Sequence, residues 1–213
     1  MKLSPTNIGL VVGLLAACGL IVFLLAQPRS EPDSNNFPPV AADDYTKGAA
    51  TSTVVLVEYL DFECEACGAY YPIVKSLEKQ FGEEITFVAR YFPLPGHRNG
   101  LPAALAAEAA GRQGKFWEMH DLLFERQKEW GEKQVPTPEV FEGFAAELGL
   151  DMDKFRADVA SPEVKARVQR DMDAGRALGV NSTPSFFLNG ERLQNPQSEQ
   201  QFWKILETAV DGK

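Results

Sequence analysis

One stretch restricts this chain more than any other. Residues 54–67 read VVLVEYLDFECEAC. An apolar, β-branched run of this length predicts a buried strand. The run stops at Asp61, and Cys64 and Cys67 then stand where a helix should begin. Further on, Tyr70, Val74, Leu77 and Phe81 recur at steps of three and four, the period of a helix. The pattern therefore predicts strand, turn and helix, with Cys64 at or just before the helix N-terminus and Cys67 one turn further in.

This placement has a chemical consequence. The first amides of a helix lack internal partners, and the helix dipole adds partial positive charge there. A thiolate on Cys64 would be stabilised, with its pKa below the free value of about 8.5. Cys67 is close enough to close a disulfide back onto it. The expectation is a water-facing redox dithiol in which Cys64 attacks or is attacked and Cys67 resolves. Glu58 is the odd residue of the strand. It is either an edge-strand residue pointing to water or a partly buried acid that relays protons to and from Cys67.

Cysteine count and charge exclude several classes. Only Cys18, Cys64 and Cys67 occur, and Cys18 lies in an apolar stretch, so disulfides cannot staple the fold. Two cysteines with His97 and His120 far along the chain do not match metal-ligand spacing, and no cofactor is expected. The net charge of −9 arises beyond residue 30, because Lys2 and Arg29 are the only charged side chains before it. An acidic domain without a basic stripe argues against nucleic-acid binding.

Residues 8–26 carry no charge and are long enough to span a bilayer. Residues 1–26 are read as a transmembrane anchor, or otherwise as a signal segment. Leu15-Ala16-Ala17-Cys18 also resembles a lipoprotein cleavage box, but the residues after it stay apolar. Residues 27–44, with Pro28, Pro32, Pro38 and Pro39 among polar residues, read as a disordered linker. The folded domain is placed at 45–213, outside the cytoplasm.

Within that domain, residues 85–92 read as a second strand, giving a βαβ unit with a right-handed parallel crossover. His97 follows in a loop, where packing or hydrogen bonding is the simpler role. Residues 101–178 are helical in period throughout, which predicts an insertion of four or five helices at about 100–178. Its aromatic residues and His120 read as core. Strand character returns after Gly179. Asn189-Gly190 predicts a two-residue hairpin turn, and Ser198 caps a final helix. A proline at the head of a strand is awkward for pairing. Thr183–Pro184 is either an ordinary trans turn or a cis bond beside the thiols.

The order βαβ, helical insertion, ββα resembles the thioredoxin fold, and specifically the DsbA-like thiol–disulfide oxidoreductases of the membrane-anchored type. The match rests on residues 58–67, on Phe116-Trp117-Glu118-Met119-His120 and on residues 179–187. The resemblance implies an α/β protein, a thioredoxin-like fold with an all-helical domain inserted between its halves. It implies Cys64 as the attacking and Cys67 as the resolving cysteine, Glu58 as the buried acid, and Thr183 and Pro184 as the cis-proline loop that holds substrate. It further implies a monomeric enzyme acting as an oxidase on unfolded or partly folded exported proteins, re-oxidised by a membrane redox partner. A reductase or isomerase, or a non-catalytic peptide-binding module, is the alternative. One departure stands out. Well-known members place Pro-His between the cysteines, and this chain has Glu65-Ala66. Without that imidazole, Cys64 should be less acidic and the protein a weaker oxidant.

Overall fold

The computed structural model describes residues 37–212. The expected anchor, signal or lipidation features at 1–26 lie outside the described residues, as does most of the expected linker. No helix among the described residues is long and apolar enough to cross a membrane.

The strands are β1 (Tyr45–Gly48), β2 (Val54–Leu60), β3 (Ile85–Tyr91), β4 (Ser185–Leu188) and β5 (Glu191–Arg192), and they form one sheet in the order β1-β3-β2-β4-β5. β2 and β3 are parallel, joined by α1 (Glu65–Phe81), and the other pairs are antiparallel. Six helices fill the connection from β3 to β4: α2 (Gly100–Gly111), α3 (Phe116–Glu125), α4 (Gln127–Trp130), α5 (Pro138–Glu147), α6 (Met152–Ala160) and α7 (Pro162–Ala177). Helix α8 (Glu199–Asp211) closes the chain. This is the α/β arrangement the pattern predicts, with βαβ and ββα halves around a helical insertion.

The helices start where the sequence supplies caps. Asp151, Ser161 and Ser198 accept hydrogen bonds from Lys154, Val164 and Gln201 amides at the starts of α6, α7 and α8. Asn189 and Gly190 both take positive φ, as the hairpin between β4 and β5 requires. Helix α2 is rich in alanine, and Ala103, Ala104, Ala106, Ala107, Ala109 and Ala110 are all buried. Small side chains on every side let α3, α5, α6 and α7 all pack on it. The insertion is fastened to β3 by Tyr91, whose hydroxyl donates to Glu108 (3.0 Å) and whose amide donates to Asp171 (3.2 Å).

Three elements differ from expectation. β1, Tyr-Thr-Lys-Gly, has no apolar run, and its strand state comes from pairing with β3. The helical stretch 116–130 is broken at Arg126, whose φ of −111° separates α3 from α4. The expected linker ends earlier than residue 44. Phe37 packs on Phe187 at 5.1 Å between ring centroids, and Arg90 binds the Pro39 carbonyl (2.9 Å) and Asp44 (2.7 Å). The Asp44 side chain is buried in that ion pair, so residues 37–44 are part of the folded domain.

Strand alternation divides the core. Val54 and Leu56 face α1 and α8 with Leu77, Phe81, Phe186 and Phe202, whereas Val57 and Tyr59 face Phe92, Leu178, Val180 and Phe187. On that second face α7 comes close at Gly175, where a Cβ would lie 2.8 Å from Phe92 and 3.0 Å from Tyr59. Both rings are buried. Gly175→Ala is therefore expected to destabilise the protein by about 1–3 kcal/mol through overpacking. The check is the midpoint of denaturant unfolding at unchanged m-value.

Candidate active site

β2 delivers the chain to the site and Asp61 turns it. The Asp61 carboxylate accepts from the amides of Glu63 (2.9 Å) and Leu94 (2.8 Å) and meets His97 Nδ1 at 2.6 Å, and its carbonyl accepts from the Cys64 amide (3.1 Å). Glu63, also buried, accepts from the amides of Asn99 (2.5 Å) and Glu132 (3.1 Å). Gln127 donates to the carbonyls of Phe62 (2.7 Å) and Cys64 (2.9 Å). The turn before the dithiol is thus gripped by the loop after β3 and by the helical insertion. Two glycines make room for this grip: a Cβ on Gly100 would lie 2.6 Å from Asp61 Oδ1, and one on Gly68 would lie 2.5 Å from Gln127 Oε1.

Cys64 is the N-cap of α1, as its spacing predicts, and Cys67 lies in the first turn. Both are reduced. Cys64 is more covered than a water-facing thiol should be, at 8% exposed against 0% for Cys67. The cover comes from the loop before β4. The Cys64 thiol donates to the Thr183 carbonyl at 3.3 Å, and Thr183–Pro184 is a cis peptide bond. Asn195 holds the Pro184 carbonyl (2.8 Å) and Arg192 holds Ser185 (3.1 Å), which fixes this loop from β5 and the segment after it.

The two sulfurs ionise in opposite directions. The Cys64 pKa falls from an ordinary 9.0 to about 5. The largest cause is the Cys67 thiol, which donates to the Cys64 sulfur. Burial works against ionisation, and the Thr183 side chain and the Cys67 and Ala66 amides then favour it. The helix amides contribute as expected, but the neighbouring thiol contributes more. Cys67 is pushed well above its ordinary value by burial, by its bond to Cys64 and by the Glu58 charge.

Glu58 lies on a central strand, between Ala89 of β3 and Phe186 of β4, so the edge-strand reading is overturned. Burial, with charge from Glu78 and Cys64, pushes its pKa up to about 8. It opens on a cavity of about 20 Å³, room for one water. Glu78, Trp117 and His120 line the same cavity. His120 is otherwise packed among Phe62, Tyr71, Phe116, Trp117 and Phe124, and burial lowers its pKa.

The structure therefore brings Cys64, Cys67, Glu58, Thr183 and Pro184 together. Sequence reasoning missed Asp61, Glu63 and Gln127 and left His97 as a bystander. The abrupt end of an apolar strand in an acid was a signal for Asp61. Gln127 gave none. Among the described residues no cluster of His, Cys, Asp and Glu is arranged to hold a metal ion.

A dithiol at the start of a helix, faced by a cis-proline loop on a five-stranded sheet, defines a thioredoxin-like site. Residues 41–208 match the thioredoxin family profile, and the chain belongs to that family. The fold is similar to alpha-DsbA1 of Wolbachia pipientis (TM-score 0.74, 18% identity, 84% of this chain and 96% of that one). It is also similar to oxidised BdbD of Bacillus subtilis (0.71, 21%, 79% and 94%). A thioredoxin-like oxidoreductase from Silicibacter pomeroyi gives 0.68 at 25% identity, over 86% and 98%. The helical insertion is thus of the DsbA type. In sequence the chain is similar to parts of Na(+)/H(+) antiporters NhaA. The Herminiimonas arsenicoxydans protein is 35% identical over 97% of this chain, and NhaA 1 of Salinispora arenicola is 42% identical over 72%. The chain spans 33% and 23% of those two relatives.

Two outcomes are expected. The alkylation rate of Cys64 should titrate with a midpoint near 5, several units below a free thiol. Glu58→Gln should stabilise the reduced protein by about 1–3 kcal/mol at pH 7. The folded-state pKa of Glu58 is raised, so keeping a carboxyl there costs stability from pH 4.5 up to about 8. The gain should therefore vanish as pH falls to 4.5, and thermal melts at several pH values check it.

Proposed function

We propose that this domain is a protein thiol–disulfide oxidoreductase that works as an oxidase on exported proteins. The observation that carries the reading is a pair of sulfurs one helical turn apart, Cys64 at the N-cap of α1 against the Thr183 carbonyl and Cys67 fully buried behind it. A thiolate on Cys64 stabilises the reduced dithiol, and whatever stabilises the reduced form makes the disulfide a stronger oxidant.

The steps follow from the geometry. A substrate thiolate attacks the Cys64 sulfur of the Cys64–Cys67 disulfide. A mixed disulfide forms, and Cys67 leaves as a thiolate. That sulfur is buried and disfavours charge, so it takes a proton, for which protonated Glu58 is the neighbouring donor. A second substrate thiolate then attacks the substrate sulfur of the mixed disulfide, and Cys64 leaves as the thiolate that its surroundings stabilise. The substrate loses two electrons and the dithiol gains them. Thr183 and Pro184 flank Cys64 and would hold an extended substrate segment beside it. Re-oxidation falls to a membrane redox partner. The structural relatives, which include oxidoreductases, support this assignment. Antiporters among the sequence relatives support a setting at a membrane, with residues 1–26 as anchor and the folded domain, a monomer, outside the cytoplasm.

The oxidised protein, mixed with a reduced, unfolded disulfide protein, should transfer its disulfide within one turnover, and Cys64→Ser should abolish transfer. Thiol trapping in cells should find Cys64–Cys67 oxidised. A pair held reduced in cells would instead identify a reductase or isomerase.

A further inference from the structure

The acids around the dithiol pose a problem that the cysteine motif does not solve. Asp61 and Glu63 are buried immediately before Cys64, and exposed Glu65 follows it. Negative charge on any of them would disfavour a thiolate, and Glu65-Ala66 puts no cation between the cysteines. Backbone amides hold Glu63, and its carboxylate forms no ion pair among the described residues. Asp61 is different. Its fully buried carboxylate meets His97 Nδ1 at 2.6 Å, and the His97 side chain is still 22% exposed. Arg98, the next residue, is exposed and makes no ion pair among the described residues.

We propose that His97 is a positioning residue for the dithiol: held on Asp61 by the loop after β3, its imidazolium is the counter-charge of the Cys64 thiolate. It would fill, from another part of the chain, the electrostatic place that the residues between the cysteines leave empty. The inference rests on the oxidoreductase reading and deepens it.

The groups that face His97 agree in sign. Burial lowers its pKa, but the hydrogen bond and charge of Asp61, with charge from Cys64 and Glu63, outweigh burial and leave it raised. The imidazole is thus kept protonated to higher pH by the acids and by the thiolate itself. Coupling of this kind is reciprocal: if a thiolate raises the His97 pKa, a protonated His97 lowers the Cys64 pKa equally.

The chain has two histidines, so both can be followed by proton NMR of their rings. The His97 titration midpoint in the wild-type protein should fall by roughly half a unit or more when Cys64–Cys67 is oxidised, because the thiolate is gone. His120 serves as the internal reference. His97→Gln should raise the Cys64 alkylation midpoint by a similar amount and shift the glutathione equilibrium about threefold or more toward the protein disulfide. His97→Lys should bring the low midpoint back. A His97 midpoint equal in both redox forms, with an unmoved Cys64 midpoint in His97→Gln, overturns the proposal while leaving the oxidoreductase reading intact. If Cys64–Cys67 cannot be closed into a disulfide at all, both fall together.

Discussion

The buried carboxylate of Asp61 is the constraint on which the site depends. It accepts two backbone amides and meets one imidazole, and its carbonyl takes the Cys64 amide. A buried charge with this many donors is far better satisfied in one geometry than in any other. That fixes the angle at which β2 gives way to α1, and so the direction in which the Cys64 sulfur points. Glu63 repeats the device with the amides of Asn99 and Glu132, and Gln127 reaches back from the insertion to the Phe62 and Cys64 carbonyls. The insertion therefore does more than enlarge the core. It supplies part of the frame of the dithiol.

The frame supports an opposition of charge. Cys64 prefers to lose its proton, whereas Cys67 and Glu58 prefer to keep theirs. In the reduced protein the Cys64 and Glu58 shifts pull stability in opposite directions with pH. The depressed Cys64 pKa adds stability as pH rises from about 5 toward 9, and the raised Glu58 pKa removes it from 4.5 to about 8. Between about 5 and 8 the two slopes nearly cancel, so the acid beside the dithiol offsets in stability what the nucleophile gains.

The sequence revealed most where local chemistry and tertiary structure agree. The strand, the dithiol at a helix start, the Asn189-Gly190 turn and the Ser198 cap are all written in runs of a few residues. The alternation of β2 put Glu58 on one face and Tyr59 on the other, although only the pairing of β4 shows that this strand is central. What stayed hidden depends on distant partners. β1 is a strand because β3 lies beside it. Residues 37–44 read as linker because proline and aspartate are loop formers, yet Asp44 is ordered by an arginine near the end of β3. Gln127 has no pattern of its own, and its role comes from lying against two carbonyls far away in the chain. His97 looked ordinary until the fold set it on Asp61.

The segment that carries Phe37 and Asp44 enters on the Tyr59 face of the sheet, and Glu58 and the dithiol helix lie on the other. That segment is fastened by Phe187 of β4 and by Arg90, near the end of β3. Both attachments are to strands of the sheet and neither is to the turn at Asp61. The docked segment and the groups that carry the chemistry are thus kept on opposite sides of one sheet.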